Sequence, residues 1–177
     1  MDKKKEFPFD EQKATQAAAF FAKKFGGKIN YMRLMKLLYL ADRESFHQRS
    51  FPICGGEYSS MDNGPFISSV FEVMRSTEDY FVLLSKFPTW MRCLSKEGYE
   101  ICVKSDPGSK DLSKADIAAL DSVYQEFGQK DQWELVCYTQ KNCPEWVDPQ
   151  GTIIPISQEE ILLRIGKSKS WIDAVLT

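Results

Sequence analysis

The sequence predicts a mainly α chain of the α+β class: one compact helical domain carrying a single small β-hairpin. Three observations predict it. Apolar residues recur at helical spacing in several separate stretches, capping patterns built on Asp, Asn or Ser precede most of those stretches, and one segment alternates apolar with polar residues as a strand does. A length of 177 residues, 43% of them apolar and 13% aromatic, suits one domain with a sizeable core.

Residues 1–9 read as a disordered tail and residues 10–177 as the domain. Asp10 fits the N-cap of a first helix running to Phe25, with Ala14, Ala17, Ala18, Phe21 and Phe25 on one side. The alanines suit close approach of another helix, and Gly26-Gly27 ends the run. Asn30 caps a second helix over about 31–48. Tyr31, Leu34, Met35 and Leu38 share one face of it, widened by Leu37 and Tyr39, while Arg33, Lys36, Arg43, Glu44 and His47 gather on the other. So apolar a helix belongs at the centre of the core.

Pro52 to Gly64 reads as loop, with a short strand at Glu57–Ser59, and Gly64-Pro65 as the opening of a third helix whose buried stripe is Phe66, Ile67, Val70, Phe71 and Met74. Trp90–Leu94 and Tyr99–Lys104, flanking Ser95-Lys96-Glu97-Gly98, form the hairpin. Ser113 to Asp116 is a capping signal for a helix ending at Gly128, and Asp131 with Glu134 opens another that Pro144 closes. Ser157 caps a short helix ending near Gly166, and Ser170–Leu176 is the last.

The charge balance, 23 basic against 25 acidic residues, gives a net charge of −2 and no global basic field for nucleic acid. No secretory signal or membrane-spanning run is visible, so the five cysteines (Cys54, Cys93, Cys102, Cys137 and Cys143) read as free thiols in a reducing cytoplasm. His47 is the only histidine, with no nucleophile pattern around it. Cys137 and Cys143 have no second pair to complete a zinc set, and no phosphate-binding glycine loop occurs. The acidic pairs Asp42/Glu44, Glu78/Asp79 and Glu159/Glu160 read as surface charge or caps. The expectation is a protein without catalytic residues, metal or cofactor. Arg33, Lys36 and Arg43 form a basic strip, read first as a solvated face and alternatively as partner-facing or internally paired. Because Lys36 lies amid apolar neighbours, it is expected to pair with a carboxylate, Glu57 being the candidate.

Lys36-Leu37-Leu38-Tyr39-Leu40-Ala41 resembles the core motif of the Panacea, or SocA-like, antitoxin domain, and Asn63-Gly64-Pro65-Phe66 resembles that family's Gly-Pro helix start. Pro52 and Glu57-Tyr58 fall where the family has its intervening loop, and Leu135–Trp146 resembles its later segment ending in Pro-x-Trp. The resemblance covers about residues 14 to 147. It departs at Gln140, where the family usually has histidine, and at Asn63, where an aromatic is common. It implies a helical cytoplasmic protein that binds a toxin encoded beside it, in prophage and mobile-element settings. A proteolytic adaptor, or another phage-associated interaction module, is the alternative. The partner-binding or motif residues are then Arg33, Lys36, Tyr39, Arg43, Glu57, Asn63, Gly64, Pro65, Gln140 and Trp146. Direct nucleic-acid binding is not expected, since too few residues precede the motif region for a helix-turn-helix.

The cysteine reading yields a direct check. Chelator and reductant should each leave the melting temperature unchanged, whereas a drop of many degrees in either, or stoichiometric metal in the purified protein, contradicts it.

Overall fold

The helix that the sequence places at the centre is enclosed along its middle. In the computed structural model, which describes residues 5–177, α2 spans Tyr31–Arg49 and every residue from Leu34 to Asp42 is buried. It is surrounded by α1 (Glu11–Lys24), α6 (Lys114–Phe127), α7 (Gln132–Asn142), α8 (Gln158–Arg164) and the strand β3 (Gly64–Ile67). Asn30 caps it by accepting from the Arg33 N–H at 3.1 Å. The alanines of α1 are fully enclosed, as close helix packing requires.

The predicted caps form. The Asp10 carboxylate accepts from Lys13, and Ser113 with Asp116 and Asp131 with Glu134 make reciprocal capping boxes. Asp116 does more than cap. Its buried carboxylate also binds Lys13 of α1 and Arg49 of α2, tying three helices at one point.

The remaining helices are α3 (Ser68–Arg75), α4 (Tyr80–Lys86), α5 (Pro88–Cys93) and α9 (Lys169–Val175). Among the described residues, two three-stranded antiparallel sheets complete the α+β fold. The first joins β1 (Lys28–Asn30), β5 (Glu100–Val103) and β4 (Leu94–Glu97), with the expected hairpin between β4 and β5 in the register Lys96↔Ile101 and Glu97↔Glu100. Residues 90–93, expected as the first strand, lie instead on α5 with Trp90 buried, and Ser95, Lys96 and Glu97, expected in the turn, belong to β4. The second sheet, in the order β3–β2–β6, joins β2 (Tyr58–Met61) to β6 (Ile154–Ile156) and to β3.

Gly64-Pro65 does not open a helix. It starts β3, with Met61 opposite Gly64 and Ser60 opposite Pro65, and the helix begins at Ser68. Gly64 has φ +96°, outside the helical region, and an edge strand tolerates proline. Pro155, in the other edge strand, is accommodated in the same way.

The disordered tail is also corrected. Residues 1–4 lie outside the described residues, but the segment after them lies on the body. The Phe7 N–H donates to Gln158 Oε1 at 2.9 Å, the Gly56 N–H to the Phe7 carbonyl at 3.0 Å, and the Asp10 N–H to the Cys54 carbonyl at 2.7 Å. Gly55, at φ +72°, permits the approach, because a Cβ there would sit 2.4 Å from the Pro8 carbonyl oxygen.

Phe21, Leu34 and Leu38 are fully enclosed, while Phe71, expected to match them, is half-buried. Leu38→Ala should therefore lower unfolding free energy by about 2–5 kcal/mol in chemical denaturation, and Phe71→Ala by less.

Candidate functional site

Lys36, Tyr39 and Arg43 stand three and four residues apart on α2, which stacks them along one face. That face meets β3 and α7. Each of the three finds a partner distant in sequence.

The Tyr39 hydroxyl donates to Glu145 Oε1 at 2.7 Å. Arg43 grips the same carboxylate as a fork, Nε to Oε1 at 2.7 Å and Nη2 to Oε2 at 3.3 Å. Glu145 is only 3% exposed, so this is a buried ion pair with a phenol as third member. Burial, and then the charge of Glu145, raise the Tyr39 hydroxyl well above its usual range. Burial works to lower the Arg43 pKa, but the bonds and charge of Glu145 outweigh it and the net shift is upward.

Lys36 is 1% exposed and donates to the Pro65 carbonyl at 2.8 Å. The expected partner, Glu57, does not reach it. Glu57 is exposed, and its backbone carbonyl accepts from the Ser68 N–H. The ammonium turns to β3 because Gly64 leaves room there: a Cβ on Gly64 would lie 3.2 Å from Lys36 Nζ and 2.7 Å from Thr139 Oγ1. The lysine motif and the Gly-Pro motif thus make one contact. Burial pushes the Lys36 pKa down to about 7, and burial pushes the neighbouring Cys143 thiol up to about 12.

Gln140 and Trp146 hold the turn of the β2–β3 hairpin. Gln140 Nε2 donates to the Asp62 carbonyl at 2.6 Å and Trp146 Nε1 to the Met61 carbonyl at 2.8 Å. Asn63 is half-buried within that turn. A neutral amide donor at Gln140 suffices for this bond, so no histidine charge is involved. Arg33 stands apart from the cluster. Its guanidinium lies 4.0 Å from the Phe25 ring centroid and donates to the Gly128 carbonyl at 2.6 Å, while its buried Nε has no hydrogen-bond partner. The basic strip is therefore internally paired, not a solvated face.

Sequence reasoning missed Asp42, read as surface charge. It is fully buried and accepts from the N–H groups of Ile53, Cys54 and Gly55 and from the Tyr58 hydroxyl, at 2.6–3.1 Å. Burial raises its pKa, and those four bonds oppose the rise. The signal was present: Asp42 continues the buried stripe of Met35 and Leu38 at helical spacing. Cys54, beside this network, is raised well above the usual thiol range by burial and by Asp42. His47 is exposed, and among the described residues no group of three His, Cys, Asp or Glu side chains is placed to hold a metal.

A cleft of about 600 Å³ opens beside the cluster, lined by the acidic side chains of Glu6, Glu57, Glu145 and Glu160 and by Val147 and Pro155. Glu57 thus shares a cavity with Glu145 although it does not touch Lys36. No described helix is long and apolar enough to cross a membrane.

The antitoxin SocA-like, Panacea domain family model matches residues 34–147, which spans the motif contacts from Lys36 to Trp146. The chain belongs to that family. The matched Panacea stretch begins at Leu34, so α1 precedes it and the strand β6 with α8 and α9 follows it, a narrower span than the motifs suggested. Neither the curated proteins nor the solved structures give a match.

The Lys36 geometry makes a pH prediction. An unfolded lysine titrates near about 10.4. Because the folded pKa is depressed, the folded state binds fewer protons than the unfolded state between the two values. The Lys36 contribution to stability should rise as pH increases from 7 to 8, by up to about 1.4 kcal/mol per pH unit, below the range in which the raised thiols of Cys54 and Cys143 oppose it. Lys36→Met removes an ammonium that no carboxylate of the described residues neutralises, so it should flatten that rise. Denaturant midpoints of both proteins at three pH values check this, and identical slopes contradict it.

Proposed function

We infer that this protein is an antitoxin that neutralises a toxin encoded beside it by direct protein–protein contact. Membership of the SocA-like Panacea family is the observation that carries the reading. The internal use of the motif residues supports it. Lys36, Tyr39, Arg43, Gln140 and Trp146 spend their hydrogen bonds on the protein's own hairpin and on Glu145, as parts of a rigid scaffold do. Exposed aromatic side chains such as Tyr99, Phe81, Trp133 and Trp171 remain on the surface, the residue types that anchor protein interfaces. On this reading the protein works in the cytoplasm, without a cofactor and without catalysis.

Co-expression with the product of the adjacent gene should rescue growth and yield a complex on copurification. Absence of both rescue and complex defeats the proposal. Disappearance of the partner only when this protein is present would assign it instead to proteolytic delivery.

A further inference from the structure

Five side chains from three elements meet on a surface that the motif contacts leave free. Tyr31 opens α2, Phe71 and Arg75 lie four apart on α3, and Lys96 and Tyr99 belong to the β4–β5 hairpin. The Tyr31 and Tyr99 rings stack with centroids 6.3 Å apart and planes at 21°. The Tyr31 N–H donates to the Tyr99 carbonyl at 2.8 Å, which holds the hairpin tip against the start of α2. Arg75 donates to the Tyr31 hydroxyl at 2.9 Å and lies over both Tyr31 and Phe71, and Lys96 Nζ lies 5.1 Å from the Tyr31 ring centroid.

These two cations differ from the ion-paired cations of the surface. Lys23, Lys28, Lys86, Arg164 and Lys169 each have a carboxylate partner, whereas Arg75 and Lys96 are exposed and have aromatic partners, with no ion pair to a carboxylate among the described residues. Strand alternation keeps the local acids away: Lys96 pairs with Ile101 on the face that carries Leu94, and Glu97 pairs with Glu100 on the opposite face. Glu72 of α3 is bound by Lys86. Tyr99, at 75% exposure, completes a positive, aromatic platform whose arginine is already held in place. Tyrosine and arginine fixed before binding are the side chains from which interface hot spots are made.

We propose that this platform is where an acidic segment of the partner protein docks, its carboxylates meeting Arg75 and Lys96 and its chain covering Tyr99. The proposal rests on the antitoxin reading and names the face and the partner chemistry. A protein segment fits better than nucleic acid because two cations neutralise too few phosphates to hold a strand at physiological salt.

The test uses the full chain and the adjacent gene product. Tyr99→Ala should weaken the complex ten- to hundredfold, and Lys96→Glu should weaken it and reduce its salt dependence, both with unchanged melting temperature. Arg75→Lys should retain much of the affinity that Arg75→Glu loses. A wild-type complex that all these variants match in affinity overturns the docking surface and leaves the antitoxin reading standing. Absence of any wild-type complex overturns both. Retention of a single-stranded oligothymidylate by the wild type, lost in Lys96→Glu and Tyr99→Ala, would overturn the acidic-segment proposal in favour of nucleic acid.

Discussion

A helix buried along its middle has to bond the polar groups it carries into the core, because an unbonded one costs several kcal/mol in an apolar interior. The helix α2 carries Lys36, Tyr39 and Asp42 into the core, and its bonding requirements organise much of the protein. Lys36 fixes the β2–β3 hairpin through the Pro65 carbonyl. Tyr39, with Arg43, fixes the segment after α7 through Glu145. Asp42 fixes the glycine loop through three consecutive backbone N–H groups and Tyr58. Each bond joins α2 to an element that its own apolar surface would orient only loosely, since hydrophobic burial is not directional.

This explains why family motifs separated in sequence meet in space. The lysine of the helix motif needs an acceptor, the glycine of the Gly-Pro motif makes the room, and the proline supplies the carbonyl. Trp146 and Gln140 then hold the far end of the same hairpin. The matched Panacea stretch contains all of these contacts. Segments outside it still complete the body: β6 pairs with β2, and Gln158 of α8 bonds the backbone at Phe7 and Gly56.

Features set by neighbouring residues were readable from the sequence, and those set by distant pairing were not. The capping boxes at Ser113 and Asp131, the enclosed alanines of α1 and the β4–β5 hairpin depend on residues a few positions apart. Gly64-Pro65 reads equally well as a helix start or an edge strand, and only Met61 and Ser60 across the ladder decide between them. The strand β6 is too short, and too interrupted by Pro155, to declare itself. At the site, the sequence identified Lys36 as buried and polar but misassigned its acceptor. It placed Asp42 in solvent because carboxylates usually are there, although the helical stripe already pointed inward.

The bonds of Gln158 bear on how the protein is made. Its side chain accepts from the Phe7 N–H and donates to the Phe7 and Gly56 carbonyls, at sequence separations of 151 and 102. A ribosome delivers the glycine loop and the N-terminal segment long before residue 158, so those backbone groups must wait, hydrated or loosely paired, until α8 emerges. The bonds that α8 closes therefore seal residues made well before it. Chains that stall before α8 would leave the Phe7 and Gly56 backbone without these bonds, giving quality-control proteases a loosened segment on unfinished copies.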